Sequence, residues 1–196
     1  MCGGGSPVTA CMSGDGCCPP GCTDLDDIDC ACSIYDILIE EVSTGNPDYI
    51  QLKNYSVCPI DIDPLHLYQD DTGTDHTMDL PSFVLQPGAS VYLVETGGTI
   101  NAMVDKLTLS FSMGWVGAPG AMWLCDGACQ PTNGSNVVDA VIWGSSTSVG
   151  LPTGISFIPQ SIQGVLTNES VLRVNNMGNP PQFLEADWTH GTNSVQ

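Results

Sequence analysis

Three features of this 196-residue chain predict an all-β fold, a sandwich or barrel of short strands. Beyond Ile34, turn residues recur about every ten positions, at Asp61 to Pro64, Asp70 to Gly73, Pro87-Gly88, Gly97-Gly98, Gly117 to Gly120, Asp126-Gly127, Asn133-Gly134 and Gly144. Between them lie short runs rich in Val, Ile, Leu and aromatics, and none keeps the i, i+3, i+4, i+7 apolar spacing of a helix for three turns. The acid, finally, is 17 Asp against 5 Glu. Asp is a poor helix former that favours turns, so it belongs between strands.

The strands follow in order. Ile34 to Val42, with its apolar stretch Ile37-Leu38-Ile39, ends at Gly45-Asn46-Pro47-Asp48, and Tyr49 to Asn54 comes at once after it. Leu65 to Gln69, Ser90 to Val94, Lys106 to Phe111, Ala121 to Cys125 and Val137 to Trp143 each carry alternating or continuous apolar residues. Gly127 and Asn133-Gly134 sit between the last two, where a hairpin places its turn. Residues 144–164 are Ser, Gly and Pro-rich and are expected as a long loop. Val171 to Val174, an Asn/Gly/Pro loop and Phe183 to Trp188 close the chain.

Charge narrows the function. Three Lys+Arg stand against 22 Asp+Glu, a formal net charge of -19. Such a chain repels the phosphate backbone, whose binding depends on Lys and Arg displacing counterions, so no nucleic-acid partner is expected. Polybasic attraction to anionic lipid is excluded on the same ground. No apolar run reaches the roughly 18 to 20 residues of a spanning helix, so no transmembrane segment is expected. With 42% hydrophobic residues the chain is too apolar for a disordered acidic tail, and its length supports one or two domains with a substantial core.

The cysteines divide it. Seven of the ten (Cys2, Cys11, Cys17, Cys18, Cys22, Cys30 and Cys32) lie in the first 32 residues, among glycines and prolines and without hydrophobic periodicity. Residues 1–32 are therefore expected as a Cys-rich module held by disulfides, an arm or anchor, and residues 33–196 as the β body. Zinc fits poorly, because Cys17 and Cys18 are adjacent and no His precedes His66. Cys58 joins the set whose pairing the sequence leaves open. Cys125 and Cys129 enclose only Asp126-Gly127-Ala128 and are expected to bridge locally at a hairpin tip.

Disulfides imply export, to the cell surface or the extracellular space. The opening Met1-Cys2-Gly3-Gly4-Gly5-Ser6 has neither the basic nor the apolar region of a signal peptide, so the signal is expected to be missing from this sequence. Cys2 before a Gly/Ser spacer is also how mature bacterial lipoproteins begin; the alternatives are lipidation at Cys2 or pairing of Cys2 with another cysteine.

The succession of motifs resembles the lamin tail domain, found in nuclear lamins and in many secreted bacterial proteins. Ile39-Glu40-Glu41-Val42, Asp48 to Asn54, Asp61-Ile62-Asp63 leading into Leu67 to Gly73, Leu85-Gln86-Pro87-Gly88, Trp123 to Gly127 before Val138 to Gly144, and Ser170 to Arg173 with Asp187-Trp188 fall in that family's order. The resemblance covers about residues 34–190 and implies an immunoglobulin-like β-sandwich. Two departures stand out: Pro64 to His66 replaces the usual Trp or small residue, and Met113 to Gly120 replaces a Gly-Gly turn. Separately, Gly14 to Cys30 is similar to short Cys-rich modules of exported myxobacterial and related deltaproteobacterial proteins.

Little in the sequence points to catalysis. His66, His76 and His190 fall in a strand, a polar loop and the tail, with no metalloprotease spacing or nucleophile elbow. No enzyme is expected. The carboxylates say more. Asp24, Asp26, Asp27 and Asp29 offer oxygens in a loop pinned by Cys22 and Cys30, a pattern that suits calcium, although the Gly and Glu of an EF-hand are lacking. Asp70, Asp71 and Asp75 form a second candidate calcium loop. The alternative for both is a hydrated turn with Asp capping its own backbone.

The expected function is a non-enzymatic structural or adhesion module, calcium-stabilised and self-assembling into a homo-oligomer or fibre, or bound to extracellular matrix or polysaccharide. Trp115, Val116 and Met122 are candidate contact points, or interior residues. The alternative is an accessory carbohydrate- or surface-binding domain of a larger secreted hydrolase.

Overall fold

Among the residues that the computed structural model describes, 32–43, 47–71, 75–100, 103–109, 120–130, 133–144, 161–162, 169–174, 187–192 and 194, there is no α-helix. The fold is all-β. The apolar run from Ile34 does not enter a strand directly. Ser33 caps a 3-10 turn over Ile34–Asp36: its hydroxyl accepts from the Tyr35 N–H, and the Asp36 carboxylate accepts from the Ser33 N–H. Strand β1 (Ile37–Ser43) begins only after that reciprocal cap.

Strand β2 (Tyr49–Asn54) pairs antiparallel with β1 in a register that shifts between Ile39 and Glu41. Glu40 is the extra residue of a β-bulge. The bulge explains an otherwise awkward sequence. Ile37 and Ile39 face the core at odd positions, Val42 at an even one, and Glu40 and Glu41 both fall on the opposite face.

The remaining strands are β3 (Ile60–Asp61), β4 (Leu65–Asp71), β5 (His76–Asp79), β6 (Val84–Leu85), β7 (Ser90–Val94), β8 (Lys106–Thr108), β9 (Gly120–Asp126), β10 (Val137–Trp143), β11 (Ser161–Ile162), β12 (Ser170–Arg173) and β13 (Trp188–Gly191). Among the described residues they make a six-stranded sheet in the order β13-β12-β1-β2-β7-β8, a five-stranded sheet β11-β10-β9-β4-β5, and a β3-β6 ribbon. One apolar cluster draws on both larger sheets: Ile39, Val42, Ile50, Leu52, Val91, Leu93 and Val171 from the first, Leu65, Leu67, Met122, Leu124, Val138, Val141 and Trp143 from the second. Away from the bulges of β1 and β10, period-2 alternation fixes the register.

Two glycines are required by local geometry. Gln86-Pro87-Gly88-Ala89 closes as a turn with the Ala89 N–H donating to the Gln86 carbonyl at 3.0 Å and Gly88 at φ +72°, the type II arrangement that favours Pro then Gly. Gly120, opposite Trp143 in the β9–β10 ladder, lies so close to its indole that a Cβ would come within 2.5 Å of the ring.

The structure differs from the sequence reading at several points. The expected loop over 144–164 contains β11, which pairs parallel with β10. The last strand starts at Trp188, where the expected one ended. Strands β9 and β10 do form the expected antiparallel hairpin, and within its connection Asn133 caps a 3-10 turn over Gly134–Asn136. Met122 is fully buried, so of the candidate contact residues it belongs to the interior, while Trp115 and Val116 lie outside the described residues. Strands β3, β5 and β6 were not expected.

Two disulfides join described residues. Cys32 is bonded to Cys58, with Cα atoms 6.0 Å apart, fastening the entry to β1 onto the segment after β2. Closing a loop of that length contributes about 3.5 kcal/mol in the chain-entropy account. Cys125 is bonded to Cys129. Cys2, Cys11, Cys17, Cys18, Cys22 and Cys30 lie outside the described residues, as does the Asp24, Asp26, Asp27 and Asp29 loop.

Candidate functional site

The ionisable groups of this chain are not spread evenly over a wet surface; several are driven into the body. The deepest is a pair that spans the two sheets. Bulging of β10 between Val137 and Asp139 turns both Val138 and Asp139 toward the core. Asp139 Oδ2 accepts from the Ile39 N–H at 2.7 Å and from Arg173 Nη2 at 2.6 Å, and its Oδ1 accepts from the Ala140 N–H at 2.9 Å. Arg173, on β12, also donates from Nε to the Ile39 carbonyl at 2.7 Å and stacks 4.2 Å over the Trp188 ring. Both side chains are almost wholly buried, at 1% and 0% exposure.

This pair therefore satisfies the backbone N–H and C=O of Ile39 beside the β1 bulge, where a bulge leaves ladder groups unmatched. Burial pushes the Asp139 carboxyl above the usual range, and the Arg173 charge pulls in the other direction. Sequence reasoning missed it. The available signal was Arg173, the only Arg of the chain, inside the apolar strand Val171 to Val174, and Asp139 inside Val137 to Trp143.

A second buried carboxylate lies on the outer face of the first sheet. Glu41 is fully buried and accepts from the Tyr49 hydroxyl at 2.6 Å, from the Ser194 N–H at 3.1 Å and from the Ser194 hydroxyl. Tyr49 meets Tyr92 edge to face at 5.6 Å, and Val94 completes the cluster. Burial, and then the bond to Glu41, push the Tyr49 phenol well up; Tyr92 is raised chiefly by burial. Next to it, Glu40 takes the Tyr55 hydroxyl and pairs with Lys53, whose ammonium lies over the Tyr55 ring. Residue 194 is thereby fastened across β1.

The candidate calcium loop at Asp70, Asp71 and Asp75 lies at the end of the β4–β5 hairpin. Asp70 is buried at the close of β4, opposite Ala121. Asp75 accepts the Tyr68 hydroxyl at 2.8 Å, and Tyr68 stacks on Trp123 at 4.5 Å. Burial, then Asp75, raise the Tyr68 phenol. Among the described residues no three His, Cys, Asp or Glu side chains group closely enough to hold a metal ion. Asp75 thus accepts from a buried tyrosine of its own hairpin.

The histidines fall on strands. His66 sits on β4 with Nδ1 2.7 Å from Asp79 of β5, and His190 sits on β13 with Nδ1 2.8 Å from Glu169; His76 opens β5. The outermost strands of the two larger sheets include β5 and β13, each four residues long, with Thr77, Asp79, Thr189 and His190 exposed. No helix among the described residues is long and apolar enough to cross a membrane. No protein-family model matches the chain, and no curated protein does.

Proposed function

We propose that this chain is a non-enzymatic, exported structural module that works at a cell surface or in extracellular matrix by adhesion and self-assembly. In this reading the body is an immunoglobulin-like sandwich of the lamin-tail kind, and residues 1–32 are a disulfide-held arm. The observation that carries the reading is how the buried ionisable groups are used. Asp139, Arg173 and Glu41 are all bound to backbone groups or to other side chains that hold strands and tail in place. Groups used in that way stiffen a body, which suits a structural role.

Assembly in this proposal runs through strand addition. An outermost strand such as β5 offers backbone N–H and C=O groups to an extended segment of a neighbouring copy, a head-to-tail contact that propagates into a fibre. The large negative charge opposes this at low ionic strength. Calcium is proposed to relieve it, held by Asp24, Asp26, Asp27 and Asp29, with Asp70, Asp71 and Asp75 as the weaker position. Sedimentation of the purified chain in millimolar calcium and in chelator tests the reading: larger species in calcium support it, and a monomer in both opposes it.

A further inference from the structure

One row across the outer face of the second sheet brings together a disulfide, a histidine and a carboxylate. Val137 of β10, Cys125 of β9, His66 of β4 and Asp79 of β5 are successive register partners. His66 Nδ1 is held 2.7 Å from Asp79. Cys125 is fully buried in the apolar cluster of that face, and its bonded partner Cys129 is half-buried. Cys129 Sγ lies 3.5 Å from the His66 carbonyl oxygen. Both halves of the bridge therefore flank His66, Cys125 across the ladder and Cys129 folded back over the strand.

We propose that Cys125–Cys129 is an exchangeable disulfide that reacts with a low-molecular-weight thiol, and that His66, oriented by Asp79, assists departure of the Cys125 sulfur. This is independent of the assembly reading. The incoming thiolate attacks Cys129 Sγ, the more accessible sulfur; a bond forms between the two sulfurs as the Cys125–Cys129 bond breaks, and its electron pair leaves on Cys125. A thiolate leaving into an apolar cluster is disfavoured unless a cation or proton donor is at hand. His66, across the ladder from Cys125, fills that role, with Asp79 2.7 Å from Nδ1 orienting the ring. A second thiol then attacks the mixed disulfide, leaving Cys129 reduced and one oxidised small disulfide released, so that two electrons pass to the protein.

Opening this bridge is also expected to cost the fold less than opening the other. It separates residues 4 apart, against 26 for Cys32–Cys58. With closure entropy scaling as the three-halves power of loop length, opening it lowers the folding equilibrium constant about fifteenfold less than opening Cys32–Cys58 does.

The test exposes the native, oxidised 196-residue chain to graded ratios of reduced to oxidised glutathione, quenches by alkylation and maps the modified cysteines by mass spectrometry. Cys125–Cys129 is expected to open while Cys32–Cys58 stays closed and tryptophan fluorescence stays native, with the glutathione adduct on Cys129. His66→Gln is expected to slow opening about tenfold or more. Asp79→Asn, at a side chain 85% exposed and so neutral for folding, is expected to slow it in the same direction. Opening of both bridges together, an adduct on Cys125, or unchanged rates in both variants overturns the proposal.

Discussion

Replacing Asp139 by alanine is expected to destabilise the fold by about 3–5 kcal/mol, the usual cost of removing one partner from a buried ion pair. The loss follows from three contacts. The Ile39 N–H and the Ala140 N–H lose their acceptor, and the Arg173 guanidinium is left buried beside Trp188 without its counter-charge. A domain of ordinary stability holds about 5–15 kcal/mol in total, so the variant falls near the margin. Urea unfolding with disulfides intact, followed by tryptophan fluorescence, reads the change as a midpoint lowered by about 1.5 M at a slope of about 2–3 kcal/mol/M. Asp139→Asn retains one acceptor and is expected to lose less. The double variant Asp139→Leu/Arg173→Met separates this site from a simple buried pair. Apolar replacement of an ion pair is often neutral, but here it leaves the Ile39 N–H and C=O unsatisfied, so a loss of about 2–4 kcal/mol remains. A change under about 1 kcal/mol in Asp139→Ala, or a double variant as stable as the parent, means that the pair does not hold Ile39 in this way.

Three further outcomes are expected. Glu41→Ala leaves the Tyr49 hydroxyl and the Ser194 N–H without an acceptor and is expected to cost about 2–3 kcal/mol, with faster amide exchange at Ser194; unchanged exchange there contradicts the tail's attachment. Tyr49, Tyr55, Tyr68 and Tyr92 all have phenols raised from 10.0, each chiefly by burial. A raised folded pKa contributes stability that is full below the unfolded value near 10 and is lost as pH rises through the folded value; an absorbance titration should therefore find these four un-ionised near pH 10 until the chain unfolds, and their early ionisation in a folded chain counts against the packing. Millimolar calcium is expected to raise the melting temperature by several degrees relative to chelator, and identical melts remove the calcium proposal.

How far the sequence was legible depended on whether the signal was local. Strands Ser90–Val94 and Val137–Trp143 were readable to the residue, because alternating or continuous apolar runs end at turn residues. The Pro87-Gly88 turn was readable for the same reason. Strand β11 was not: two residues in a Ser/Gly/Pro-rich stretch carry no period, and only pairing with distant β10 makes them a strand. Strand β5, His76–Asp79, reads as polar because it is an outermost strand. The 3-10 turn at Ile34–Asp36 was hidden by the apolar Ile34 and Tyr35, with the Ser33 and Asp36 cap as its only cue. The buried pair was illegible for a further reason. Asp139 and Arg173 lie 34 residues apart on different sheets, and what joins them is a pair of bulges that no period in the sequence announces.

The proposed self-assembly of this chain is open to measurement in solution. Negative-stain microscopy and size-exclusion chromatography of the native chain in calcium, with Thr77→Lys on the exposed outermost strand β5 as comparison, test it most directly. Extended assemblies that grow with concentration and shrink in Thr77→Lys are the expected result. A strict monomer at every concentration, in calcium and out of it, contradicts the claim.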